Sequence, residues 1–348
     1  MADLVICEKR DLTGIANAIR EKSGLNEEMS ISNMAELIGT IEGGGDDVST
    51  SIIDRTITEY SNRTLETVGK FAFYGCDSLS RVDIPECTSI GASAFCYCSS
   101  LTSANFPKCT TIDSSAFYSC RNLITANFPE CTNMESRAFN MCYSLAYISF
   151  PVCTSVGAST FANCRSLITA NFPECTSIGT NAFYACYSLV SANFPKCTTI
   201  DSSAFYSCSS LTDINFPACT SINASAFSAC KSLTSVKFPE CTYIGGNAFN
   251  QCYSLTTAIF PKCKSIQLNA FLRCTILSNI VFGASSVCTL NNSTAFSSTP
   301  YAGYSEDFSG TPYIYVPASL VTAYQSATNW TYFSKYFSAI EDSEYYEG

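Results

Sequence analysis

Ser89-Ile-Gly-Ala-Ser-Ala-Phe-Cys-Tyr-Cys-Ser-Ser-Leu-Thr-Ser-Ala-Asn-Phe-Pro107 is one unit of a pattern that governs most of the chain. Its Phe95 belongs to a column of ten, Phe73, Phe95, Phe117, Phe139, Phe161, Phe183, Phe205, Phe227, Phe249 and Phe271, every one 22 residues from the next. A fixed period of this length without insertions is the signature of a solenoid, whose units stack on their neighbours. A solenoid is mostly surface, so binding is the first function to consider.

Within the unit, apolar Ala104 and Phe106 alternate with polar Ser103 and Asn105, which predicts a short strand with one buried face. Pro107 ends it, because it cannot donate to a ladder. Cys109-Thr-Thr-Ile112 starts a second extended piece. The spacing of Ala116, Phe117, Cys120 and Leu123 suggests a helical or 3₁₀ turn on the opposite side.

The chain has 22 cysteines. Ten form one ladder of period 22, from Cys76 to Cys274, and nine form a second, from Cys87 to Cys263. Cys288 reads as a displaced member of the second; Cys7 and Cys96 belong to neither. One cysteine at a fixed place in each coil is expected of a small buried hydrophobe. Disulfides between adjacent coils are the alternative, since a coil spacing of about 4.8 Å falls within their reach. The start of the chain shows no secretory apolar stretch, which points to folding in a reducing cytoplasm and against that alternative.

Composition narrows the function further. The net charge is −10 with 19 Lys and Arg spread along the chain, a poor basis for nucleic-acid binding. No apolar run is long enough for membrane insertion. With no His, Ser-His and Cys-His nucleophiles and His metal sites are excluded. Cys96 and Cys98 lack the further ligands of a zinc site, and Gly43–Gly45 lacks the Lys-Ser/Thr of a phosphate loop. No cofactor is expected. The residues after each Pro run Glu86, Lys108, Glu130, Val152, Glu174, Lys196, Ala218, Glu240, Lys262; they read as surface ion pairs between coils rather than as catalytic carboxylates.

Two rows are candidates for ligand binding. On the strand, Asn105, Asn127, Asn171, Asn193 and Asn215 point away from the core, with Tyr147 beside them, although stacked Asn side chains can simply bond to each other. Near the turn lie Tyr118, Tyr184, Tyr187 and Tyr206. Tyr, Ser and Asn together are the composition of a paratope, where Tyr supplies contact area at little entropic cost, and Tyr also suits sugar stacking.

Ile-Gly-x-x-Ala-Phe-x-x-Cys-x-x-Leu, as at Ile90–Leu101 and Ile178–Leu189, resembles the core of BspA-like leucine-rich repeats. The resemblance covers about residues 57–300. It implies an α/β repeat, a leucine-rich-repeat solenoid of about ten 22-residue coils. Repeats of that family more often have 23 residues, and here the loop after Phe-Pro is one shorter. It implies a binding scaffold and names no ligand. Residues 51–72 read as an imperfect first coil, with Ile57, Tyr60, Leu65 and Val68 in its apolar places and Asn62 where Phe belongs. Tyr313-Ile-Tyr-Val-Pro317 reads as a strand and Ala318–Trp330 as a helix of an α/β C-terminal cap, which also resembles the family's ending.

The resulting organisation is an N-terminal helical attachment module (1–42), a linker (43–50), the solenoid (51–299) and a cap (300–348). In the module, Leu12, Ile15, Ala16 and Ile19 make one helical stripe and Met34, Leu37, Ile38 and Ile41 another. This segment resembles short N-terminal modules of bacteriophage and prophage tail proteins. That resemblance implies a tail-associated protein assembled in the host cytoplasm, bound to other tail proteins through residues 1–42 and able to form a homo-oligomer such as a trimer, whose solenoid adheres to a bacterial surface protein or glycan. The alternative is a bacterial interaction protein at the cell surface, unrelated to a virion.

Overall fold

A computed structural model of the chain describes residues 55–303 and 309–345. The helical stripes of 1–42, the linker and Cys7 lie outside the described residues. The rest is a solenoid whose coils present two parallel strands each. Two-residue strands from Thr67–Val68 to Thr289–Leu290 form one continuous sheet of 11 strands. Three-residue strands, such as Ser103–Asn105, form the other face. Every pairing is parallel and joins equivalent positions of adjacent coils, as in Ala104↔Ala126 and Ile90↔Ile112.

The second face is not continuous. Its ladders break after Arg81–Asp83, Tyr147–Ser149 and Asp213–Asn215. The central residues of those strands are Val82, Ile148 and Ile214, where the coils between them carry a fully buried Ala. These branched chains are only partly buried. Val236 and Ile280 take the same place fully buried in an unbroken ladder, so the breaks go with the outward displacement of the strand rather than with a branched side chain as such. The rings beneath are 5.9 Å apart at Phe150–Phe172 and 6.0 Å at Phe216–Phe238, although Phe238–Phe260, under an unbroken ladder, also reaches 5.8 Å.

The core is a set of columns. Phe73 to Phe271 stack nearly parallel at 5.0–5.5 Å, and the column continues to Phe296 across the longer final coil. A second column, Phe106 to Phe260, meets it edge-on, as in Phe117–Phe128 at 68°. Both cysteine ladders are buried, and all 21 described cysteines are free thiols. They do more than fill space. Cys98, Cys120 and Cys142 donate S–H to the carbonyls of Phe73, Phe95 and Phe117 at 3.0–3.1 Å, and Cys87 donates to Ser89 O. Alanine in these places would leave those acceptors with one partner fewer.

The expected helical or 3₁₀ turn after each Ala-Phe is not what forms. Two residues per segment have positive φ, for example Ser93 (55°) and Tyr97 (65°), Arg137 (61°) and Met141 (62°). A left-handed residue every fourth position prevents a helix. It turns alternate N–H groups outward along the stack: Ser93, Phe95 and Tyr97 donate to Ser114, Ala116 and Tyr118 of the next coil, while Ala94, Cys96 and Cys98 close turns within their own. The segment thus gains lateral bonds that a helix would forgo.

The first coil is as expected. Ile57, Tyr60 and Val68 are buried, and Asn62 accepts from the N–H groups of Thr64 and Leu65. At the other end the predicted helix of Ala318–Trp330 is much shorter: a 3₁₀ turn at Ala318–Leu320, an α-helix only at Val321–Ser326, then a 3₁₀ run at Trp330–Tyr336. Ala327 is extended and Asn329 left-handed (φ 64°), which ends the helix. The break lets Trp330 and Tyr324 cover the last rings, Phe282 and Phe296. It also lets Trp330 Nε1 donate to Cys288 O at 2.6 Å and Cys288 N donate to Tyr324 Oη at 2.9 Å. The strand Tyr313–Val316 forms as expected and continues the ladder to Phe337–Ala339.

Candidate functional site

The periodic backbone sets each surface row at the spacing of the coils, so any site must come from what differs between coils. The asparagine row is largely engaged with itself. Asn127 donates to Asn105 at 2.8 Å, and Asn215 and Asn193 donate down the row to Asn193 and Asn171 at 2.7 Å each. Ser149 separates the two groups. These amides retain a free edge toward solvent but are already ordered by one another. Tyr184 and Tyr206 stack at 5.1 Å, 5° from parallel, so each covers one face of the other. Tyr118 is half-buried, with its hydroxyl 3.3 Å from Met141 Sδ. The post-proline row pairs as expected: Lys196–Glu174 at 2.6 Å and Lys262–Glu240 at 2.7 Å, with the side chains about half exposed.

A different strip gathers the remaining candidates. One residue beyond the first cysteine ladder, successive coils place Arg121, Tyr143, Arg165 and Tyr187 in line. The Arg165 guanidinium lies 4.6 Å from the Tyr143 ring and 6.0 Å from Tyr187; that of Arg121 lies 5.8 Å from Tyr143. Each cation therefore holds aromatic faces in place and is held by them. Across the buried leucine column runs Ile124, Ala146, Ile168 and Val190. Ile124, Ile168 and Val190 are 39–45% exposed. In other coils this position is Thr or Ser, and its hydroxyl can bond back to the preceding coil, as Thr256 does to Thr234 O at 3.0 Å. Tyr147, 60% exposed, stands beside them. Residues 121–127, 143–149, 165–171 and 187–193 contain no Asp or Glu, in a chain with a net charge of −10.

The strip begins at two adjoining cavities over the first coils. One, of about 260 Å³, is lined by Arg55, Asp77, Tyr97, Ser99 and Arg121; the other, of about 190 Å³, by Tyr118, Arg137, Ser93 and Ser115. Tyr74 and Tyr97 border both. Gly75 is, with Phe71, one of the two left-handed residues of its segment, and the Arg55 guanidinium lies against the place where its Cβ would be. Of the residues chosen from the sequence, Tyr187 lies in the strip, Tyr147 beside it and Tyr118 in the smaller cavity. Arg55, Asp77, Arg121, Arg137 and Arg165 were missed. Their signal is departure from the repeat at single coils, which a search for shared positions passes over.

The chemistry that could be catalytic is muted. Cys96 packs with Tyr74 in a small aromatic cluster, apart from the core column of Cys98. Burial pushes the Cys87 and Cys153 thiols up to about 11 and those of Cys76 and Cys109 to about 12. Thiols so placed stay protonated and unreactive at neutral pH. Among the described residues no cluster of three or more metal-ligating side chains occurs, and no helix is long and apolar enough to cross a membrane.

Parallel strands, columns of Leu, Phe and Cys and a 22-residue period define a leucine-rich-repeat solenoid, a fold that is typically non-catalytic. The chain belongs to the BspA type leucine rich repeat family, whose pattern matches six copies across residues 66–190, 132–239 and 198–302. Solved structures are also similar. A leucine rich cell surface protein from Faecalibacterium prausnitzii is 26% identical over 66% of this chain and 80% of its own (TM-score 0.35). Leucine-rich repeat proteins from Bacteroides ovatus (22% identical, 76% and 84%, TM-score 0.37) and Eubacterium ventriosum (20%, 74% and 87%, TM-score 0.43) are comparable. No curated protein matches the chain in sequence.

Proposed function

We propose that the protein is a non-enzymatic adhesion protein whose solenoid recognises a bacterial surface protein or glycan through the strip from Asp77 to Tyr187. The observation that carries this is the alternation Arg121–Tyr143–Arg165–Tyr187 on four successive coils, ordered by cation–π contacts and bordered by exposed Ile or Val on three of them. Pre-ordered aromatic and Arg side chains lose little freedom on binding and dominate interface energetics. The aliphatic row replaces hydroxyls that served the fold, so it costs local bonding and adds apolar surface. Residues 1–42, resembling tail-protein modules, attach this recognition unit to a bacteriophage or prophage tail. Repetition of the module brings several weak sites together.

The test is adhesion of labelled protein to host cells. Arg165→Ala with Tyr187→Ala should reduce binding at least about tenfold, the loss of one interface anchor, while leaving the thermal midpoint unchanged. Full binding by this variant removes the strip as the contact surface. Cosedimentation of the full chain with tail particles, lost on deletion of residues 1–42, tests the attachment.

A further inference from the structure

We infer that the twin cavity around Tyr97 is a binding site for two consecutive rings of an acidic saccharide. The inference rests on the recognition reading above and names the ligand at one end of the strip. Three features of the site point there together.

The first is charge. The two cavities are lined by Arg55, Arg121 and Arg137 against the single carboxylate of Asp77. A guanidinium offers a fork of donors that fits a carboxylate in the plane of both groups. Arg121 is steadied by donating Nε–H to Ser119 Oγ at 3.3 Å, and Arg55 lies across the bare Cα of Gly75. Each cavity has its own guanidinium, so acidic groups on neighbouring rings are both met.

The second is shape. Tyr97 stands between the cavities, with Tyr74 and Tyr118 each 5.6 Å away and nearly perpendicular at 81° and 83°. Perpendicular rings leave no flat slot for a nucleobase, which needs parallel faces. They leave two shallow compartments with an aromatic wall each, which suit the C–H faces of pyranose rings.

The third is hydroxyl chemistry. Ser93, Ser99, Ser115 and Ser119 line the cavities, and Asp77 supplies a strong acceptor. A sugar hydroxyl donates to Asp77 and accepts from serine.

The probes are a hyaluronan tetrasaccharide, which alternates uronate and neutral rings, an oligogalacturonate, which carries a carboxylate on every ring, and the neutral chitotetraose. Titration calorimetry on the full chain should show binding of at least one acidic probe, about tenfold or more tighter than chitotetraose, consistent with one charge-assisted hydrogen bond. Arg137→Gln and Arg55→Gln should each abolish that preference, whereas Arg165→Gln, in the strip but outside the cavities, should leave it intact. Equal binding of acidic and neutral probes, no binding of any, or a preference insensitive to both cavity variants overturns the inference. Cell adhesion separates the two readings. Adhesion lost in the Arg165/Tyr187 variant but with no acidic-saccharide binding sinks this site and keeps the strip.

Discussion

At the scale of single residues, the cysteines show what the sequence offers and what it withholds. Their two ladders were readable as buried columns, because a fixed place in every coil suits a small buried side chain; the inter-coil disulfides that the same spacing allowed do not form among the described cysteines. Their second role was not readable: in the first ladder the S–H donates to a carbonyl 25 residues earlier and in the second to one two residues later, and both depend on the local backbone. Replacing Cys142 by Ala removes the donor to Phe117 O along with a sulfur's worth of packing. We expect a loss of about 1–2 kcal/mol in urea unfolding; no change would mean the bond contributes nothing. The same thiols set an alkaline limit. Their folded values, such as about 11 for Cys87 and Cys153, lie above the ordinary 9.0 because burial disfavours the thiolate. The folded state then holds protons that the unfolded chain releases, so stability is complete below pH 9 and falls as pH rises toward 11. Under reductant the thermal midpoint should decline steadily across that window. A flat profile would place the thiols in contact with water.

At the scale of elements, the strands were legible from alternation and from proline, while the turn segment was misread. Spacings of three and four suit both a helix and a chain of tight turns, and propensity offers no sign of left-handed backbone at Tyr97, Arg137 or Met141. Only the neighbouring coil, which accepts the outward N–H groups, selects the second. The Arg–Tyr strip was partly visible for a related reason: its tyrosines stood out as a type, but the cations between them could be placed only once the coils were in register. The ladder breaks make a prediction of their own. Hydrogen exchange should be faster in Tyr147–Ser149 and Asp213–Asn215, at the edges of breaks, than in Thr125–Asn127 and Ser191–Asn193, which have partners on both sides. Uniform protection along this face would show that the strands are not parted at Ile148 and Ile214.

At the scale of the whole molecule, the ends matter most, since a stack of like coils presents bare apolar surface at its last layer. Deleting 300–348 removes Trp330, Tyr324 and Phe333 from over Phe282 and Phe296 and leaves the strand Asn279–Val281 unpaired on one side. The truncated protein should aggregate on light scattering; a soluble, equally stable product would mean that the stack closes elsewhere. At the other end, residues 1–47 should drive self-association, for instance into trimers, with 51–348 monomeric at micromolar concentration by the same measurement. A monomeric full chain that also ignores tail particles would leave the attachment proposal without support. The uninterrupted 22-residue register has a genetic consequence as well. Any in-frame recombination between two copies of the coding repeat deletes or adds a whole slice and rejoins every column in phase; loss of 154–175, for instance, would set Phe150 against Phe194. Descendants of this gene can therefore drift in reach, slice by slice, while the cavities at Tyr97 pass unaltered from one length variant to the next.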